Sequence, residues 1–140
     1  MSGGEKIFPG FLTKILSDYK IEGKKFHIAG RSNGGISAFH IAALHPAYFV
    51  SITGFPGYLD ELLPSRVEAV SKMCIYMHVG QFDSDWRENV RDQSEFFREE
   101  GMKVQFTLEE GQEHSIETLV GEGSARLFDH FDDARRGCGK

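Results

Sequence analysis

The chain has 140 residues, 40% apolar and 26% charged, with a formal net charge of −5. That length allows one domain with one core and not two, and an acidic balance without a dense Lys/Arg run excludes nucleic acid as the main partner. No apolar run is long enough to cross a bilayer, and the opening stretch from Met1 to Lys6 lacks the apolar core of a signal peptide.

Taken in order, the first pattern covers residues 5 to 20, where Ile7, Phe8, Phe11, Leu12, Ile15, Leu16 and Tyr19 recur at helical spacing. Gly23 is its stop signal. A strand is expected at about residues 25 to 29 and a helix at about 33 to 44, ending before Pro46. A second strand follows at roughly Phe49 to Thr53, then the loop Gly54-Phe55-Pro56-Gly57 and a short helix within 58 to 71, with Pro64 near its start. Met73 to Val79 is a near-continuous apolar run, the pattern of a strand covered on both faces of a parallel sheet.

Beyond the loop Gly80 to Asp85, a helix over 86 to 100 turns Trp86, Val90, Phe96 and Phe97 inward, and Gly101 ends it. The fourth strand is Lys103 to Leu108, followed by the loop Glu109 to His114. A last helix is expected over 115 to 131, its middle weakened by Gly121 and Gly123. Residues 1 to 131 then form a single domain, and the polar tail 132 to 140 is expected to be disordered. Cys74, in the apolar run, reads as a buried thiol and Cys138, in the tail, as a free one. Two such thiols suit a reducing, cytoplasmic setting, and neither has the spacing of a zinc ligand.

Strand and helix alternate throughout, which predicts an α/β fold: a parallel sheet of about four strands flanked by helices. Ligands bind such sheets beyond the C-terminal strand ends. Ser32, Asp83, Asp85 and His114 each follow a strand and fall at that rim. Ser32 sits at the centre of Gly30-x-Ser32-x-Gly34, between a strand and a helix. There a serine can ride a strained corner with its hydroxyl exposed. A Cβ at either flanking glycine is expected to clash at so tight a corner. The pentapeptide alone is a loose signal, since many strand-to-helix turns carry Gly and Ser for packing. A hydroxyl needs a base to become a nucleophile; an imidazole can serve, oriented by a carboxylate, and the order Ser, Asp, His is the one found with such corners.

Together the pieces resemble the C-terminal half of an α/β-hydrolase. The matching residues are Gly30-Arg31-Ser32-Asn33-Gly34-Gly35, Ala43-Leu44-His45-Pro46, Val79-Gly80-Gln81-Phe82-Asp83 and Glu110-Gly111-Gln112-Glu113-His114, within about residues 24 to 131. The resemblance implies Ser32 as nucleophile, His114 as base, Asp83 as acid and the Asn33 amide as oxyanion donor. Its spacing selects Asp83 over Asp85, which is left as the N-cap of the next helix. Arg31 is open to two roles, a contact to an acidic substrate group or a surface salt bridge. Phe55, Tyr58 and Phe82 either line a shallow site or pack under loops. His78 reads as a satisfied core histidine, and His27, His40, His45 and His130 as structural or surface residues.

A complete family member carries about four more strands before the one that leads to the serine, so a truncated α/β-hydrolase fold is expected. The resemblance then implies a leading strand at a sheet edge, open to a second copy or another chain. It also implies a missing second oxyanion donor, a loss of roughly 10²–10³ in rate. The expected function is a serine hydrolase of the esterase or thioesterase type, cleaving a small-molecule ester or thioester through an acyl-enzyme on Ser32, with no cofactor and no metal. The alternative is a catalytically weak hydrolase-like module that binds protein or self-associates through its open edge. A nucleotide site is disfavoured, because Gly30-x-x-x-Gly34-Gly35 is not GxGxxG and no P-loop lysine follows.

Overall fold

A computed structural model of the chain describes residues 25–138. The helix expected over residues 5 to 20 and its stop at Gly23 lie outside them. The described residues run β1 (Phe26–Gly30), α1 (Asn33–Leu44), β2 (Phe49–Gly54), α2 (Pro64–Val70), β3 (Cys74–Gly80), α3 (Arg87–Glu99), β4 (Lys103–Glu109) and α4 (Ala125–Arg135). All strand pairs are parallel and the sheet order is β1-β2-β3-β4. Gly30 pairs with Gly54 and Gly80 with Glu109, so the strands end close to one line and the loops beyond them share a rim.

In a sheet laid down in sequence order, right-handed crossovers put every connecting helix on the same face. Period-two alternation then sorts β3. Ile75, Met77 and Val79 point with Ile52 into a core built from Phe39 and Ala42 of α1, Val70 of α2, and Val90 and Phe97 of α3. Phe39 and Phe97 are fully buried, each contributing about 2–3 kcal/mol of transfer free energy. Gln93 of α3 ties the β2–α2 loop to this layer: its amide accepts from the Leu59 N–H at 2.7 Å and donates to the Leu59 carbonyl at 2.7 Å.

The opposite face of β3 presents Cys74, Tyr76 and His78, and α4 covers it. All seven residues of β3 are buried, as a continuous apolar run predicts, although this face is polar in chemistry. Tyr76 Oη donates to Asp133 Oδ2 at 2.6 Å, and its ring stacks on His130 at 4.2 Å.

Three expectations are corrected at this end of the chain. The last helix does not span 115 to 131. Single 3₁₀ turns occupy Glu117–Leu119 and Gly121–Ser124, and α4 begins at Ala125. Gly121 takes φ +57°, and a Cβ on Gly123 would stand 2.1 Å from the Thr118 carbonyl oxygen, which breaks an α-helix here. The tail is not disordered from residue 132, because α4 continues to Arg135 and Cys138 returns to the sheet. Cys74 and Cys138 are not two thiols; they form a disulfide, Cα–Cα 5.9 Å, a separation typical of that bond. The cysteine argument for a reducing, cytoplasmic setting therefore lapses.

Candidate active site

The serine corner follows from three close backbone approaches. A Cβ on Gly30 would lie 2.2 Å from the Gly34 carbonyl oxygen, so β1 can turn into α1 only with glycine there. Gly34 itself meets nothing within 4 Å, against the expectation that both flanking glycines are sterically required. The second crowded position is Gly35, whose Cβ would stand 2.2 Å from the Pro56 carbonyl oxygen. That loop also fixes the serine backbone, because the Pro56 carbonyl accepts the Ser32 N–H at 2.9 Å. Ser32 has φ 58° and ψ −127°, a conformation that costs an L residue on the order of 1–3 kcal/mol and is held by its surroundings.

The loops after β3 and β4 are joined to each other. Gln81 N–H donates to the Glu109 carbonyl at 2.9 Å, Phe82 N–H to the Gln112 carbonyl at 2.8 Å, and Gly111 N–H to Gln81 Oε1 at 3.0 Å. Gly80 makes the crossing possible, since a Cβ there would lie 2.0 Å from the Glu113 carbonyl oxygen. The result is a line of polar atoms across the rim. His114 Nδ1 is 2.7 Å from Asp83 Oδ2, and His114 Nε2 is 2.8 Å from Ser32 Oγ. An ionised carboxylate only accepts, which assigns the proton to Nδ1 and leaves Nε2 to accept from the serine hydroxyl. Asp83 is 5% exposed, while the His114 side chain is 44% exposed.

Asp85 is exposed and contributes no capping bond. The N-cap of α3 is Trp86, without a side-chain cap, against the expectation for Asp85. The Asp83 carbonyl already accepts the Trp86 and Arg87 amides at 3.3 and 2.9 Å, which starts the helix. Asn33 opens α1, where the positive end of the helix dipole favours negative charge, and the next three amides are already bonded to the Arg31 and Ser32 carbonyls. Arg31 is exposed and enters no ion pair among the described residues. Phe82 is 60% exposed, and Phe55 and Tyr58 are half-buried. Tyr58 opens a groove of about 390 Å³ that continues over Leu59, Leu62, Gln93 and Phe96.

Two contributors were not legible beforehand. Trp86, read from the sequence as a core residue, packs on the His114 ring at 5.1 Å and on Tyr58 at 5.3 Å. Glu109, read as a loop residue, is the buried last residue of β4 and binds donors on the α4 side of the sheet. His78 Nδ1 is 2.9 Å from Glu109 Oε2, Thr118 Oγ1 donates to Oε1 at 2.8 Å, and Arg126 donates to both oxygens at 2.7 and 2.8 Å. Burial alone would raise the Glu109 carboxyl, but the bonds from His78, Arg126 and Thr118 outweigh it and hold it well below the usual carboxylate range. The glycine ending β3 hinted at the loop crossing; nothing in the sequence pointed to Arg126.

The fold is α/β-hydrolase-like. No protein-family profile matches the chain, and no curated protein does. Among solved structures it is similar to a thermostable esterase (TM-score 0.70, 22% identity, 89% of this chain and 35% of that one). It is also similar to acyl-protein thioesterase 2 of Zea mays (TM-score 0.65, 15% identity, 95% of this chain and 65% of that one). A ferulic acid esterase gives a TM-score of 0.63 at 21% identity over 94% of this chain and 60% of that one. The chain thus spans between about a third and two thirds of these proteins, and at such identities the likeness is one of fold.

Among the described residues no cluster of His, Cys, Asp and Glu is arranged to hold a metal ion, and no helix is long and apolar enough to cross a membrane.

Proposed function

We propose that the chain acts as a serine hydrolase on a carboxylic ester or thioester through an acyl-enzyme on Ser32. The observation that carries this reading is the unbroken line Asp83 Oδ2, His114 Nδ1, His114 Nε2, Ser32 Oγ, with 2.7 and 2.8 Å steps. In this reading Ser32 and its flanking turn are a nucleophile elbow and the three side chains a catalytic triad. Ser32 Oγ attacks the acyl carbon while Nε2 takes the hydroxyl proton, and Asp83 stabilises the imidazolium that forms. The carbonyl oxygen becomes an oxyanion beside the Asn33 amide and the α1 N-terminus. Collapse breaks the bond to the alcohol or thiol, which leaves with the proton from Nε2. Water then repeats the cycle: His114 accepts its proton, its oxygen attacks the acyl carbon, and Ser32 Oγ leaves reprotonated.

The rim is open. Phe82 projects beside the acid loop, and the groove from Tyr58 offers an apolar wall for the acyl or leaving group. The neighbours named as esterases and a thioesterase support that substrate class.

The test is covalent labelling by a serine-directed fluorophosphonate. The wild-type chain is expected to label at one site, Ser32→Ala not at all, and His114→Ala at least about 10³-fold more slowly. Undiminished labelling of Ser32→Ala would remove the assignment. No labelling of the wild type, together with a concentration-dependent dimer, would favour a binding module acting through β1, which pairs only with β2 among the described residues.

A further inference from the structure

The polar face beneath α4 has no part in the chemistry above, yet it is the most densely bonded region described. α4 lies antiparallel to β3, and its contacts step along alternate strand residues. Cys138 is bonded to Cys74, Asp133 accepts from Tyr76, His130 Nε2 is 2.8 Å from His78 Nε2, and Arg126 reaches Glu109 beside Gly80. Apolar burial under this helix is modest: Ala134 is its one fully buried residue, Leu127 and Phe131 are half-buried with Phe131 stacked on His27 at 4.6 Å, and Phe128 is 62% exposed. Its position therefore depends on polar partners and on the covalent tie beyond its C-terminus as well as on that ring packing.

Glu109 is where that helix meets the rim. Its carboxylate is gripped from below by the Arg126 fork, His78 and Thr118. Its own carbonyl accepts the Gln81 N–H at 2.9 Å and the Gln112 N–H at 3.3 Å. One buried residue thus anchors both the loop that carries Asp83 and the loop that carries His114. A bidentate guanidinium–carboxylate pair fixes orientation as well as charge.

We propose that Arg126 is a positioning residue that sets the His114 loop through Glu109, and that the Cys74–Cys138 disulfide makes this support redox-dependent. A dithiol reductant would convert the disulfide to two thiols, itself becoming oxidised to a disulfide. The tie at Cys138 is then gone, and the helix that presents Arg126 is held by its non-covalent contacts alone. The inference rests on the hydrolase reading only for its consequence on labelling; the movement of the loop can be read without turnover.

Trp86 supplies the readout. It is the single tryptophan of the chain and packs on the His114 ring, so its emission reports on that contact. Three samples are compared: oxidised wild type, wild type treated with a dithiol, and Arg126→Gln, with Arg91→Gln, whose partner Glu88 lies on the same helix, as control. Amide exchange of residues 110 to 114 should accelerate about tenfold or more in the second and third samples, and Trp86 emission should shift in both. Arg126→Lys, which keeps the charge without the fork, should recover part of each signal. Ser32 labelling should slow in parallel, and reoxidation should restore the treated sample.

Unchanged exchange and emission in Arg126→Gln would overturn the positioning role. Two free thiols in the untreated protein, or reduction without effect on residues 110 to 114, would overturn the redox dependence. Loop responses as expected in a protein that never labels would sustain the positioning and count against the hydrolase reading alone.

Discussion

At the residue scale the candidate site depends on which atoms can approach one another. Asp83 is buried and 2.7 Å from the imidazole, whereas Asp85 is exposed. Replacing Asp83 by Asn removes the charge that holds the Nδ1 tautomer, so Asp83→Asn should lower the labelling rate by about 10³–10⁴. Asp85→Asn should leave it within about twofold. The glycines make a second contrast, read by thermal or denaturant unfolding. Gly30→Ala places a carbon 2.2 Å from a backbone oxygen and should cost several kcal/mol or prevent folding. Gly34→Ala enters open space at the start of α1, so it should be neutral or stabilise by about 0.5–1 kcal/mol. The motif in sequence treats the two glycines as equivalent; the structure does not, because only Gly30 faces the turn it must clear.

At the scale of elements, the attachment of α4 to β3 carries a pH dependence. His130 is pushed down to about 4, first by burial and then by the positive neighbours His78 and Arg126, against the opposite pull of Asp133 and Asp129. Tyr76 and His78 face it from β3, and Glu109 stands behind His78. The unfolded histidine, near 6.5, binds a proton that the folded one refuses. Stability is therefore full above about pH 6.5 and declines as pH falls toward 4. Glu109, held low, adds its own loss as pH falls through the ordinary carboxylate range and below it. Melting temperature should fall between pH 7 and pH 5 in the wild type and fall less in His130→Phe. That helix was the element least legible beforehand. Its apolar spacing reached back across Gly121 and Gly123, and only their backbone geometry stops it. By contrast α1 and α3 lie where periodicity, Pro46 and Gly101 placed them, because each helix buries one apolar stripe on the same core.

For the molecule as a whole, the covalent tie joins buried Cys74 of β3 to half-buried Cys138 beyond α4. Cys74 and Cys138 are 64 residues apart in sequence, and closing a loop of that length stabilises the folded state by on the order of 4 kcal/mol in the chain-entropy account. Cys138→Ala should lower unfolding free energy by about 2–4 kcal/mol in denaturant titration. A parallel sheet of about four strands, with a rim of loops at its C-terminal ends, followed from alternation, while the strand order came from the structure. Apolar runs of strand length between amphipathic helices admit few other arrangements. Chain position also brought Ser32, Asp83, Asp85 and His114 to one side of the sheet, while the preference for Asp83 over Asp85 came from the resemblance to α/β-hydrolases. What the linear order could not contain were contacts between residues far apart with no pattern of their own. The Cys74–Cys138 bond, the Arg126 grip on Glu109, and Trp86 against the imidazole depend on how α4 and α3 dock, and docking is decided by three-dimensional packing rather than local propensity.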